Sequence, residues 1–163
     1  MFDRRAVLVS YATWLVGFIG IPVVPVVVWA VWATLVVVGF AAARLPRATI
    51  AALWRKSRKA ALAGEVVFLV IFLSLCYIRA LTPDATFVRD EQGRPYDESA
   101  SEKFTNLALL TGLHRETQMP PRDSWLAGYP INYYYFGHFQ WATFCKMSFT
   151  TPRVGFNISQ AAL

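Results

Sequence analysis

Cysteine, histidine and acidic residues are scarce in this chain, and each shortage closes off a class of function. The two cysteines, Cys76 and Cys145, stand singly inside apolar runs, so neither a disulfide framework nor a redox Cys-x-x-Cys pair can be drawn. The two histidines, His114 and His138, lie at no ligand spacing, so no zinc site is indicated. Nothing resembles a nucleotide-binding loop, a soluble hydrolase or a nucleic-acid module. Acid is scarcest where the chain is most apolar: eight of the ten carboxylates (Asp84, Asp90, Glu91, Asp97, Glu98, Glu102, Glu116, Asp123) fall between residues 82 and 130.

What is abundant is hydrocarbon. The 163 residues are 56% hydrophobic and carry a net charge of +6, and mean hydropathy is +0.39, a balance that points to a membrane protein. Apolar runs at 6–20, 26–43, 60–81 and 131–149 predict four transmembrane helices. The first two are joined by the turn Ile21-Pro-Val-Val-Pro25. Asp3-Arg4-Arg5 ahead of the first run imitates a signal peptide, but no small-x-small cleavage site follows, so an uncleaved helix is expected. From Val154 another apolar segment begins and stops at Leu163, so residues 1–163 read as an N-terminal fragment of one membrane domain. The fold class expected is all-α and polytopic, with four complete spans and the start of a fifth.

Arg44, Arg47, Arg55, Lys56, Arg58 and Lys59 crowd the connection between the second and third runs. By the positive-inside rule this loop is cytoplasmic, as are Arg4, Arg5, Lys146 and Arg153, while the acidic loop 82–130 is extracytoplasmic. An anionic-lipid or nucleic-acid patch is the sharper alternative for the basic loop, and flanking spans already explain its charge. Glu65 and Arg79, near the two ends of the third run, are within reach of the boundaries by snorkelling.

Inside the outer loop, Ser99-Ala-Ser-Glu102 forms a capping-box pattern that predicts a surface helix running to about Thr111 and stopped by Gly112. Phe104, Leu107, Ala108 and Leu110 give it an apolar side, and Glu102 with Asn106 a polar one. The prolines of Met119-Pro-Pro-Arg-Asp-Ser-Trp125 predict an extended return towards the bilayer. Tyr133, Tyr134 and Tyr135 then open the fourth run between Asn132 and His138. Phenol rings suit a boundary that is dry at one end and wet at the other. If helical, the three point about 100° apart, so at most two face one site.

Ser101-Glu-Lys103 followed by Met119-Pro-Pro-Arg-Asp-Ser-Trp-Leu-Ala-Gly-Tyr-Pro-Ile-Asn-Tyr-Tyr-Tyr-Phe-Gly-His138 resembles the YYY-motif family of polytopic membrane proteins, from about residue 55 onward. That family often has an acidic residue where this chain has Asn106. Its layout is similar to that of the GT-C glycosyltransferases, which implies a sugar taken from a polyprenyl-phosphate donor at the outer face of the plasma membrane. The resemblance implies a carboxylate to accept the acceptor's proton and cations to hold the leaving phosphate. The candidates are Glu102, then Asp97 and Glu98, for the carboxylate. Lys103, Arg122, Asp123, Asn132, Tyr133, Tyr134, Tyr135 and His138 are candidates for binding substrate. Membrane lipids and the lipid-linked sugar are the expected partners, nucleic acid is not, and a divalent metal is left open. Each candidate also has a structural role: Glu102 as a cap, Lys103 and Arg122 as solvated charges, His138 as an interhelical hydrogen bond. The rival function is a non-catalytic transporter or assembly scaffold. A transporter should show charged or broken helices at the bilayer midplane, and the completed runs show none beyond the Pro22 and Pro25 turn.

Overall fold

A computed structural model describes residues 4–44, 46–82, 88–89, 91–93, 95–96 and 102–162. The architecture is α-helical: α1 Arg4–Phe18, α2 Pro25–Ala43, α3 Arg47–Leu81, α4 Glu102–Arg115, α5 Phe136–Ser148 and α6 Pro152–Ala162. A two-residue antiparallel ladder, Val88–Arg89 with Pro95–Tyr96, is the one sheet among the described residues.

Helices α1 and α2 form a hairpin whose turn includes Gly20 at φ 93, and α2 opens on Pro25, where the missing N–H costs nothing. The expected spans 6–20 and 26–43 thus correspond to α1 and α2. The expected basic loop does not exist as a loop. Helix α2 ends at Ala43 and α3 already begins at Arg47, with Arg44 left-handed at φ 44, and α3 runs unbroken for 35 residues. Alanine, leucine, arginine and lysine dominate its first turns and are strong helix formers, so charge density alone did not break the helix. At 1.5 Å per residue α3 is about 52 Å long, well beyond the roughly 30 Å of hydrocarbon.

Helix α2 and the stretch Ala48–Leu81 are long and apolar enough to cross a membrane, while Ala6–Phe18 is a shorter apolar helix. The expected fourth span, 131–149, is a 13-residue helix, Phe136–Ser148, about 20 Å long and short of the hydrocarbon thickness. The tyrosine triplet precedes it in non-helical chain: the backbone pairing of Pro130 and Ile131 ends before it, and the Tyr135 N–H turns back to the Tyr133 carbonyl at 2.8 Å. The left-handed Phe149, φ 54, ends α5, and α6 starts on Pro152.

Helix α4 continues past Gly112 to Arg115. The glycine serves a close approach rather than a stop, since a Cβ there would collide with the Ser124 side chain. The capping residue Ser99 lies outside the described residues. The buried face of α4 is Leu109, Leu110 and Leu113, and Asn106, expected on the polar side, falls on this stripe and meets α5. The core joins Val23, Val28, Leu110, Leu113, Phe139, Ala142 and Phe156. It therefore sits where α4, α5 and α6 close over the turn end of the α1–α2 hairpin. Helix α3 touches this assembly through α6.

Candidate functional site

The return segment folds as a tight hairpin set by one carboxylate. Asp123 Oδ1 accepts the Trp125 and Leu126 N–H groups at 2.7 and 3.1 Å, the local turn that aspartate makes well. Across the neck, the Asp123 N–H donates to the Tyr129 carbonyl and the Ile131 N–H to the Pro121 carbonyl, both at 2.9 Å, and Arg122 bridges antiparallel to Pro130. Gly128 supplies the left-handed residue at φ 90. The hairpin presents Trp125, Leu126 and Tyr129 at its tip, all more than half exposed, and docks on α4 through Ser124 Oγ, which donates to the Ala108 carbonyl at 3.4 Å.

Between α4 and this hairpin lies a pocket of about 540 Å³ whose charged lining is Arg115, Glu116, Arg122 and Asp123. Two cations and two carboxylates in one pocket suit a phosphate-bearing substrate and a proton transfer beside it. Asp123 is committed to the turn through Oδ1, so Glu116 is the carboxylate with the fewer backbone duties.

The sequence-derived candidates divide sharply. Arg122 and Asp123 reach the pocket. Glu102 is exposed at the first position of α4, two residues before Phe104 at one end of the pocket lining and about 20 Å along the axis from Arg115 at the other, and Lys103 beside it is half-buried; neither lines the pocket. Asp97 and Glu98 lie outside the described residues. Asn132, Tyr133 and Tyr134 are exposed, Tyr134 at 93%, and none lines the pocket. The Tyr135 hydroxyl accepts the Trp14 Nε1–H at 3.0 Å, tying the triplet to α1. His138 Nε2 sits 3.2 Å from Asn106 Oδ1 and joins α5 to α4; burial pushes its imidazole below the ordinary value, with the Tyr134 backbone partly opposing. Arg115 and Glu116 were missed. The spacing Phe104, Ala108, Thr111, Arg115 follows one helical stripe, legible only if Gly112 is not taken as the helix end.

Lys146 is the least expected feature. The sequence places it on the cytoplasmic side after a fourth span, yet it is 5% exposed and reaches the far end of the hairpin. Its Nζ donates to the Val23 carbonyl at 2.7 Å and the Glu116 carbonyl at 2.6 Å, and the Val23 N–H donates to the Thr117 carbonyl at 2.7 Å. The ammonium thus pins α5 to the α1–α2 turn and to the end of α4. Desolvation lowers its pKa from 10.5 to about 8, with Glu116's charge opposing. His114, nearby, is held below its ordinary value by burial first and then by the Lys146 and Arg115 charges.

Apolar spanning helices and a polar cap at one end define a helical membrane protein. The chain belongs to the family described as Uncharacterized membrane protein (DUF2298), whose profile matches residues 8–163. No match was found among curated proteins or solved structures.

Proposed function

We propose that this protein is a multi-pass membrane transferase of the GT-C type, moving a sugar from a polyprenyl-phosphate donor at the outer face of the plasma membrane. The supporting observation is the pocket of Arg115, Glu116, Arg122 and Asp123 on the α4–hairpin cap that closes over the turn end of α1 and α2. In this reading α1, α2 and α3 cross the bilayer with the N-terminus inside, α4 and α5 lie on the outer side, and the exposed Trp125, Tyr129, Tyr133 and Tyr134 rest at the lipid boundary. The tyrosine triplet then serves position rather than chemistry. An acceptor hydroxyl attacks the anomeric carbon, the bond from that carbon to the phosphate oxygen breaks, and its electron pair leaves with the phosphate. Arg115 and Arg122 offset the charge on the leaving group, and Glu116 takes the hydroxyl proton.

The test is transfer of labelled sugar from a polyprenyl-phosphate donor by the full-length protein in membranes. Glu116→Gln is expected to lower the rate about 10²- to 10⁴-fold, while Glu102→Gln leaves it unchanged. A dead Glu102→Gln beside an active Glu116→Gln moves the base to the start of α4. Donor-dependent transfer that survives Glu116→Gln, Arg115→Gln and Arg122→Gln together removes the pocket from the chemistry. A protein with no donor-dependent transfer at all returns the rival reading, a transporter or scaffold.

A further inference from the structure

A second cavity, of about 320 Å³, opens on the other side of the α4 end and is lined by His114, Thr117, Lys146, Thr150 and Thr151, with apolar walls from Val23, Val24 and Cys145. The cleft is open at its mouth and its walls are mostly apolar. Its charge is positive, from Lys146, and no carboxylate lines it.

Lys146 is nine-tenths buried, and an isolated buried ammonium is costly unless its protons and its charge are both answered. An ammonium has three N–H donors. Two go to the carbonyls of Val23 and Glu116, and among the described residues no acceptor takes the third. Carbonyl dipoles satisfy protons without neutralising the charge. The Glu116 carboxylate acts on Lys146 electrostatically but lines the other pocket. Arg115 nearby is itself a cation, and His114 is held towards its neutral form by burial and by the Lys146 and Arg115 charges, so neither answers the ammonium. The same cavity is lined by Thr117, Thr150 and Thr151, each with a hydroxyl able to donate to an oxyanion. The Thr150 hydroxyl is already linked to Ser148 Oγ at 2.8 Å, which leaves Thr117 and Thr151 as the freer donors. Helix α6 begins at Pro152 on the same wall, and its dipole adds to the positive potential.

We propose that this cavity binds a phosphoryl anion, with Lys146 as its charge partner and Thr117 and Thr151 as hydroxyl donors. The cavity volume is ample for a phosphate or pyrophosphate group, and its open mouth admits a ligand that carries one. The same chemistry has two sources: a free phosphate, or the headgroup of a phosphate-terminated lipid entering beside the α1–α2 turn. This site is separate from the pocket of Arg115 and Arg122 and stands whether or not sugar transfer occurs.

The experiment uses the full-length protein in nanodiscs of neutral lipid. Inorganic phosphate and pyrophosphate are titrated by calorimetry and ³¹P line broadening, and phosphatidic acid is titrated through discs of graded composition, each against wild type, Lys146→Met, Thr151→Val, His114→Gln and Arg122→Gln. Wild type should bind at least one probe. Lys146→Met should weaken that binding about tenfold or more and Thr151→Val severalfold, the scale of a charged and a neutral hydrogen bond, while any component lost only in Arg122→Gln belongs to the separate pocket. Binding of the soluble anions identifies a free phosphate ligand, and binding of phosphatidic acid alone identifies a lipid headgroup; both support the site. Should Lys146→Met fail to fold, Thr151→Val and His114→Gln decide, since neither removes the contacts to Val23 and Glu116. No binding of any probe to wild type, or binding that survives every cavity substitution and falls with Arg122→Gln, overturns the proposal.

Discussion

Helix α3 and the α4–α5–α6 cluster draw on similar apolar residues and use them in opposite ways. Along α3, Val66, Val67, Phe68, Leu69, Val70, Ile71 and Leu73 are all exposed, on every side of the helix. In the cluster, shorter helices bury Leu109, Leu110, Leu113, Phe139 and Ala142 among themselves. A helix apolar all round needs a hydrocarbon solvent or other helices, whereas an apolar stripe is satisfied by one neighbour. The contrast teaches that hydrophobicity marks two different fates here. Helix α3 is built to meet lipid or further helices, and α5, equally apolar to the eye, is built to pack on α4.

The sharpest way to break this comparison is a matched pair of truncations. Phe139→Ala in the cluster should destabilise the protein by about 3–5 kcal/mol, whereas Phe68→Ala, half exposed on α3, should stay within about 0.5 kcal/mol. Thermal unfolding in detergent measures both, and an equally large loss at Phe68 means that α3 is covered by another chain or helix. A smaller effect should come from adding volume. At Gly155 a Cβ would meet the Cys145 side chain, so Gly155→Val wedges α6 away from α5, an overpacking of about 1–3 kcal/mol. At Gly39 on α2 a Cβ meets nothing within 4 Å, and Gly39→Val should lack this penalty. Equal shifts in melting temperature would mean that the α5–α6 contact is loose.

The smallest effect is on pH. His114 has its folded-state pKa lowered below 6.5 by burial, Lys146 and Arg115. Between that lowered value and 6.5 the unfolded chain binds the extra proton, so stability rises with pH through this window and is lost as pH falls through it. The wild-type melting temperature should therefore drop on mild acidification, and His114→Gln should flatten this part of the profile. An unchanged profile would mean that His114 is solvated, and with it the end of α4.

Much of the membrane part was legible. The proline turn and the apolar runs predicted α1, α2 and the apolar part of α3 because long uninterrupted stretches of hydrocarbon side chains have few uses other than helices in or against a membrane. The basic stretch misled because positive charge reports which side of a membrane a segment occupies, not whether its backbone is helical; Arg55 to Lys59 sit inside α3. Gly112 misled for a similar reason. A glycine in a helix reads as a stop, but here its missing Cβ admits Ser124, and the misreading hid Arg115 and Glu116 from the pocket they line.

What the sequence determined by itself is the class of protein and the segregation of its charge, since both follow from local composition and the cost of desolvating charge. The positions of α5 and Lys146 were decided only by tertiary structure. An apolar run states that it will be buried, and does not state whether lipid or protein will bury it. Thirteen residues ending on a left-handed Phe149 fit against α4 and the hairpin turn, and there Lys146 finds the carbonyls of Val23 and Glu116, 123 and 30 residues away. Partners that distant enter no local pattern, so a residue that reads as an interfacial cation becomes a buried one.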